Sequence, residues 1–136
     1  MLFEDTYHMP TDISKGLYKQ KGSKFIAYAF PVFSDEDVKE RLKEIRKKEY
    51  AARHYCYAYT LHPDKSAWRV NDDGEPVNTA GKPILGQIKS KDLTNILVVV
   101  ARYFGGVKLG VGGLINAYRT AAADALSHIT IEKRFI

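Results

Sequence analysis

Between Leu93 and Tyr118 the chain passes from an unbroken apolar stretch, through a loop with five glycines, into an alanine-rich segment. Within Asn95 to Ala101 the run Ile-Leu-Val-Val-Val-Ala does not alternate. Such a strand lies in the middle of a sheet covered on both faces, or beside an open face that something else must cover. The glycines Gly105, Gly106, Gly110, Gly112 and Gly113 surround Lys108 where the strand gives way to a helix expected from about Gly112 to Ser127. The first turn of a helix leaves backbone N–H groups without partners, its dipole favours negative charge, and glycine admits a ligand close to the main chain. No Ser, Thr, Asp or Asn stands where a side-chain cap would accept those bonds. With Arg102 and Lys108 flanking it, the loop reads as an anion site, against the alternative that its glycines only let the helix sit tightly on the sheet. It is neither a Walker loop, since Val111 follows Gly110, nor a dinucleotide fingerprint, since Ile115 takes the place of the third glycine.

Other segments fix the class of fold. Residues 1–11 read as an irregular lead-in, and Ile13 to Tyr18 and Lys24 to Pro31 as a hairpin around Gln20-Lys21-Gly22-Ser23. Ser34 caps a helix with acids in its first turn, Lys43, Arg46, Lys47 and Lys48 toward its end, and Val38, Leu42 and Ile45 as its apolar stripe. That basic cluster reads as helix electrostatics on a solvated face. His54 to Leu61 alternates, with His54, Cys56, Ala58 and Thr60 on one face and Tyr55, Tyr57 and Tyr59 on the other. The tyrosine row is either half-buried core or an exposed stacking platform. A short strand over Ala67 to Asn71 precedes the turn Asp72-Asp73-Gly74-Glu75-Pro76, and Thr79 to Ser90 reads as a helix with Pro83 near its start. The acidic turn lacks EF-hand spacing, so it reads as a surface loop or a salt-bridging partner of a basic loop. Ile129 to Ile136 adds an edge strand. The sum is an α+β fold, a two-layer α/β sandwich with a mainly antiparallel or mixed sheet and its helices largely on one face.

Composition narrows the function classes. A chain of 136 residues with a net charge of +5 leans toward polyanionic partners such as RNA or phosphorylated ligands. No apolar leader or membrane span is visible, and the single cysteine, Cys56, excludes an internal disulfide framework and fits a reducing, cytoplasmic setting. No metal-binding or catalytic signature stands out, and no cofactor is implied.

Three segments in order carry a family resemblance: Lys21-Gly22-Ser23-Lys24-Phe25-Ile26-Ala27; Asp72 to Pro76 with Thr79 to Leu85; and Arg102-Tyr103-Phe104-Gly105-Gly106 through Lys108-Leu109-Gly110 and Gly112-Gly113-Leu114. Over essentially its whole length the chain resembles the N-terminal domain of the YigZ/IMPACT family. The resemblance implies a fold similar to a ribosomal small-subunit protein domain and to domain IV of elongation factor G. It also implies a role near translation, with RNA, the ribosome or a translation-related protein as partner. Bacterial relatives typically continue into a ferredoxin-like domain, so residues 1–136 read as a single N-terminal domain without it. The motif positions that carry over are His54, Asp73, Glu75, Lys82, Arg102, Lys108 and the loop glycines.

The first functional expectation is therefore a non-enzymatic binding module whose loop holds an anion. An enzyme acting on a small phosphorylated or carboxylated substrate, with His54 or Glu75 as general base, is the alternative. A protein-interaction scaffold or homodimer follows if the far side of the sheet is apolar and open.

Overall fold

The computed structural model describes residues 5–136. Five strands form one sheet: β2 (Ser14–Gln20), β3 (Ser23–Pro31), β4 (His54–Leu61), β5 (Ala67–Asn71) and β6 (Ile96–Tyr103), in the order β2-β3-β6-β4-β5. Every pair in it is antiparallel. β6 is the central strand, and all its residues from Ile96 to Arg102 are buried, which accounts for the missing alternation. The turn between β2 and β3 is a two-residue loop, Lys21-Gly22, with both residues at positive φ, the geometry that matches the twist of a hairpin.

Alternation along the central strands divides the core in two. Phe25, Ala27, Ala29, Cys56, Ala58, Val98 and Val100 face α2 (Gly81–Ser90) and α3 (Gly110–Ser127). Ile26, Tyr28, Phe30, Tyr57, Tyr59, Leu97 and Val99 face α1 (Asp35–Lys48), whose Val38, Leu42 and Ile45 close that side. Two of the three helices thus share a face and the third covers part of the other. The α3 side is built from small residues, and the helix comes so close that a Cβ on Gly16 would lie 2.3 Å from the Ala125 nitrogen. The α1 side takes the tyrosines. Tyr57 and Tyr59 are buried there with rings stacked 6.5 Å apart, so these two are core, while Tyr55 is half-buried.

Two expectations need correction. Of the anticipated irregular lead-in, residues 1–4 lie outside the described residues, but Thr6–Pro10 forms a strand, β1. It pairs antiparallel with β7 (Ile131–Phe135) in a separate two-stranded sheet, so β7 does not extend the main sheet as an edge. The cause is non-local: β1 gains its hydrogen-bond partners from the far end of the chain. The helix starts also shift, to Gly110 for α3 and Gly81 for α2. At α2 the reason is specific. Asp72 accepts hydrogen bonds from the Asn78, Ala80 and Gly81 N–H groups and caps the helix from a distance.

Candidate functional site

β4 opens and β6 closes at the same end of the sheet, where His54 is registered directly on Arg102. Paired residues point to one face, here the face of α2 and α3. The turn after β5 brings Glu75 onto them, and the segment after β6 brings Lys108 and the start of α3. The result is a cavity of about 430 Å³ lined by Arg53, His54, Glu75, Pro76, Arg102, Phe104, Lys108, Leu109, Gly110, Val111 and Leu114. Sequence motifs far apart along the chain do converge.

At its base lies a buried ion pair. The Arg102 Nη1 donates to both Glu75 carboxylate oxygens, at 2.9 and 2.7 Å, and both side chains are almost fully buried. Tyr118 also donates to Glu75, and its phenol is pushed far above the ordinary range by burial and by its polar neighbours Cys56 and Glu75. Arg102 lies over the rings of Phe25 and Phe104, and its Nη2 reaches Ser23. Its Nε is buried without a hydrogen-bond partner. The guanidinium expected to meet an external anion is thus already engaged by an internal one.

His54 forms the side of the cavity. A carbonyl oxygen can only accept, so the 2.8 Å contact to the Asp73 carbonyl places a proton on His54 Nδ1. Nε2 then faces Glu75 Oε1 at 3.6 Å. The Asp73 side chain acts separately, its carboxylate accepting from the Tyr55 N–H at 2.7 Å. The acidic turn is therefore no loose surface loop. Its three carboxylates go to a helix cap, a strand start and a buried arginine, not to a common centre.

At the mouth stand Arg53 and Lys108, both exposed. Among the described residues neither makes an ion pair. Arg53 lies over Phe104, 5.4 Å from the ring centre. Beside them α3 begins with no side-chain cap bond and no acid in its first turn, as the sequence led us to expect. The glycines differ in what they do. Gly105 is a close crossing of two loops: a Cβ there would lie 2.0 Å from the Gly22 carbonyl carbon, and its N–H donates to Ser23. Gly106 and Gly110 take positive φ, whereas a Cβ on Gly112 meets nothing within 4 Å. Of the expected site residues, His54, Glu75, Arg102, Lys108 and Gly110 line the cavity; Asp73 supports it; Lys82, exposed in the first turn of α2, does not line it.

Sequence reasoning missed Arg53, Tyr118 and the apolar walls Phe104, Leu109, Val111 and Leu114. Phe104 and Val111 were visible as apolar residues flanking a glycine loop, and both remain exposed. Cys56 is completely buried, donates to the Asp72 carbonyl, and has its thiol pushed up by burial, so it belongs to the core.

Comparison with known proteins assigns the family and the fold. The sequence profile of the Impact N-terminal domain matches residues 21–126, and the chain belongs to the IMPACT family. It is 40% identical over 112 residues to "IMPACT family member YvyE" of Bacillus subtilis, covering 82% of this chain and 52% of that one. The chain spans about half the length of the curated bacterial relatives it matches. Among solved structures, a crystal structure described only as that of a hypothetical protein superposes with a TM-score of 0.92 at 33% identity, covering 98% of this chain and 66% of the other. The two-domain translational regulator Yih1 gives a TM-score of 0.50 at 29% identity, covering 95% of this chain and 49% of its own.

Proposed function

We propose that this domain is the binding module of a translation-associated regulator, and that its cavity receives an anionic group presented by RNA, the ribosome or a translation-related protein. The observation that carries the reading is the mouth of the cavity. Two cations without carboxylate partners among the described residues, Arg53 and Lys108, stand beside an uncapped helix start, while the acid within, Glu75, is neutralised by Arg102. A similar protein described as a translational regulator supplies the biological setting. The walls of Phe104, Leu109, Val111 and Leu114 add that the anion carries an apolar body.

The test is sedimentation with ribosomes at two salt concentrations, wild type against Lys108→Glu. Saturable, salt-sensitive binding weakened at least tenfold in the variant supports the assignment, and unchanged binding removes it.

One observation favours a second reading, an enzyme acting on a small phosphorylated or carboxylated substrate. The Asp73 carbonyl fixes His54 in the tautomer whose Nε2 can take a proton inside the cavity. The Glu75 oxygens, in contrast, are held by arginine and tyrosine. A metabolite screen in which turnover vanishes in His54→Asn would establish this reading. The scaffold alternative gains no support from the face away from α2 and α3, where the apolar residues are buried under α1.

A further inference from the structure

Adjacent residues of a strand point to opposite faces, so where Arg102 enters the cavity, Tyr103 emerges on the α1 side. There the edge of the sheet is basic. Lys15 is registered on Tyr28, Lys19 on Lys24, and Lys24 on Tyr103. The ammonium groups lie over tyrosine rings: Lys24 over Tyr103 at 4.7 Å, Lys48 over Tyr28 at 5.1 Å and Lys15 over Tyr28 at 5.6 Å, with Arg46 over Tyr55 at 5.6 Å. The rings are anchored from beneath. Tyr28 and Tyr103 donate to the Glu49 carboxylate, and Tyr55 donates to the Glu49 carbonyl at 2.6 Å. Glu49 itself is buried at the C-cap of α1. A cleft of about 480 Å³ between the β2–β3 turn and Tyr103 adds Lys19 and Lys21.

Among the described residues none of these six cations makes an ion pair, and the carboxylate in their midst is committed to two phenols. Tyr28 is only 3% exposed, so the half-buried Tyr103 is the ring a ligand can reach; a cation over such a ring is held by only about 0.5–1 kcal/mol, so a phosphate readily draws Lys24 away and bares it. Charge complementarity selects a polyanion, and the interleaved rings select among polyanions. A bilayer needs a broad apolar wedge, yet among the described residues only Ile13 and Leu17 are large exposed aliphatics along this edge, alternating with Lys15 and Lys19. An acidic peptide needs cations but has no use for ring faces, whereas unstacked bases do.

We propose that this corner, independent of the cavity, docks single-stranded nucleic acid, its phosphates held by Lys15, Lys19, Lys24 and Lys48 and a base stacked on Tyr103. The contacts specify shape and charge, not sequence.

The experiment is fluorescence anisotropy of the protein with a labelled 12-nucleotide RNA at 50 and 200 mM KCl. Four neutralised phosphates give a slope of about −0.7 each in log affinity against log salt, so binding weakens about 50-fold between the two conditions. The double variant Lys19→Glu/Lys24→Gln should lose at least tenfold at 50 mM and flatten the slope. Tyr103→Leu should lose about fivefold or more while Tyr103→Phe, which keeps the ring, binds as wild type. Lys89→Glu, in α2 over Trp68 of the far edge strand β5, controls for added negative charge and should bind as wild type. Circular dichroism of each variant confirms its fold. Three results overturn the proposal: RNA binding lost in Lys108→Glu but kept in Lys19→Glu/Lys24→Gln, which assigns the RNA to the cavity; polyglutamate or anionic vesicles bound in preference to RNA; or no RNA binding at 50 mM.

Discussion

Substituting Glu75 by glutamine tests the centre of the cavity while leaving its shape nearly intact. The carboxylate accepts two bonds from Arg102 and one from Tyr118, with the side chains of Glu75 and Arg102 only 4% and 7% exposed. The amide still offers one acceptor oxygen, so Tyr118 or Arg102 keeps a bond, but the guanidinium is left as a buried charge without a counter-charge. Breaking a buried pair in this way costs about 3–5 kcal/mol, far more than a surface pair contributes. At about 4 °C per kcal/mol for a domain of this size, the melting temperature should fall by about 12–20 °C. Urea unfolding at pH 7 followed by far-ultraviolet circular dichroism is the assay, because Trp68 is 59% exposed and a poor reporter of the core. Adding Arg102→Met should recover much of the loss, since removing both charges leaves nothing to compensate. If Glu75→Gln alone costs less than about 1 kcal/mol, the pair is solvated, the burial argument fails, and Arg102 becomes available to an incoming anion after all.

Two glycines of one loop should behave oppositely. Gly105→Ala drives a Cβ into the Gly22 backbone and should lower stability by well over 1 kcal/mol, whereas Gly112→Ala meets open space in the first turn of α3 and should be neutral or stabilising by up to about 1 kcal/mol. Thermal melts check both, and loss of ligand by a stable Gly112→Ala would mean that the ligand touches the main chain there. At alkaline pH, burial and the bond to Glu49 push the Tyr103 phenol up to about 12, so its contribution is intact below the free tyrosine value near 10 and lost as pH rises through about 12. Tyr103→Phe should flatten that part of the stability profile; an unaltered profile would contradict the assignment. Burial opposes ionisation of Glu49, but bonds from Tyr103 and Tyr28 and the nearby Lys15 and Lys24 outweigh it and hold its pKa below the ordinary value. Its contribution is therefore complete above about pH 4.3 and lost as pH falls through its depressed value, so Glu49→Gln and wild type should converge in acid and diverge at neutral pH.

The sequence disclosed elements wherever local chemistry dictated them. The Ser34 cap with its acids defined α1, the Lys21-Gly22 turn defined the first hairpin, and the unalternating run in β6 announced a strand covered on both sides. β1 was missed because its pairing depends on residues some 120 positions away, and nothing in Thr-Tyr-His-Met-Pro declares a partner. At the site, the glycine loop singled out Lys108 and Gly110, and the family resemblance supplied His54 and Glu75. The same signals offered the acidic turn as a salt-bridging partner but could not name the pair, Arg102 and Glu75, opposite charges 27 residues apart. Nor could they separate a glycine needed for a loop crossing, Gly105, from one that meets open space, Gly112. Such distinctions are set by tertiary contact distances, which periodicity does not encode.

The strand order β2-β3-β6-β4-β5 also has a temporal side. During synthesis β3 and β4 emerge well before β6, the strand that must lie between them, so until about residue 103 has left the ribosome the two halves of the sheet have no common partner and their apolar inner edges stay open. A nascent chain whose glycine loop has just cleared the ribosome would be the first able to close the sheet. Chains halted a dozen residues earlier should be held by chaperones or aggregate, and force or protease probes on stalled chains of graded length should place the onset of structure at that one strand.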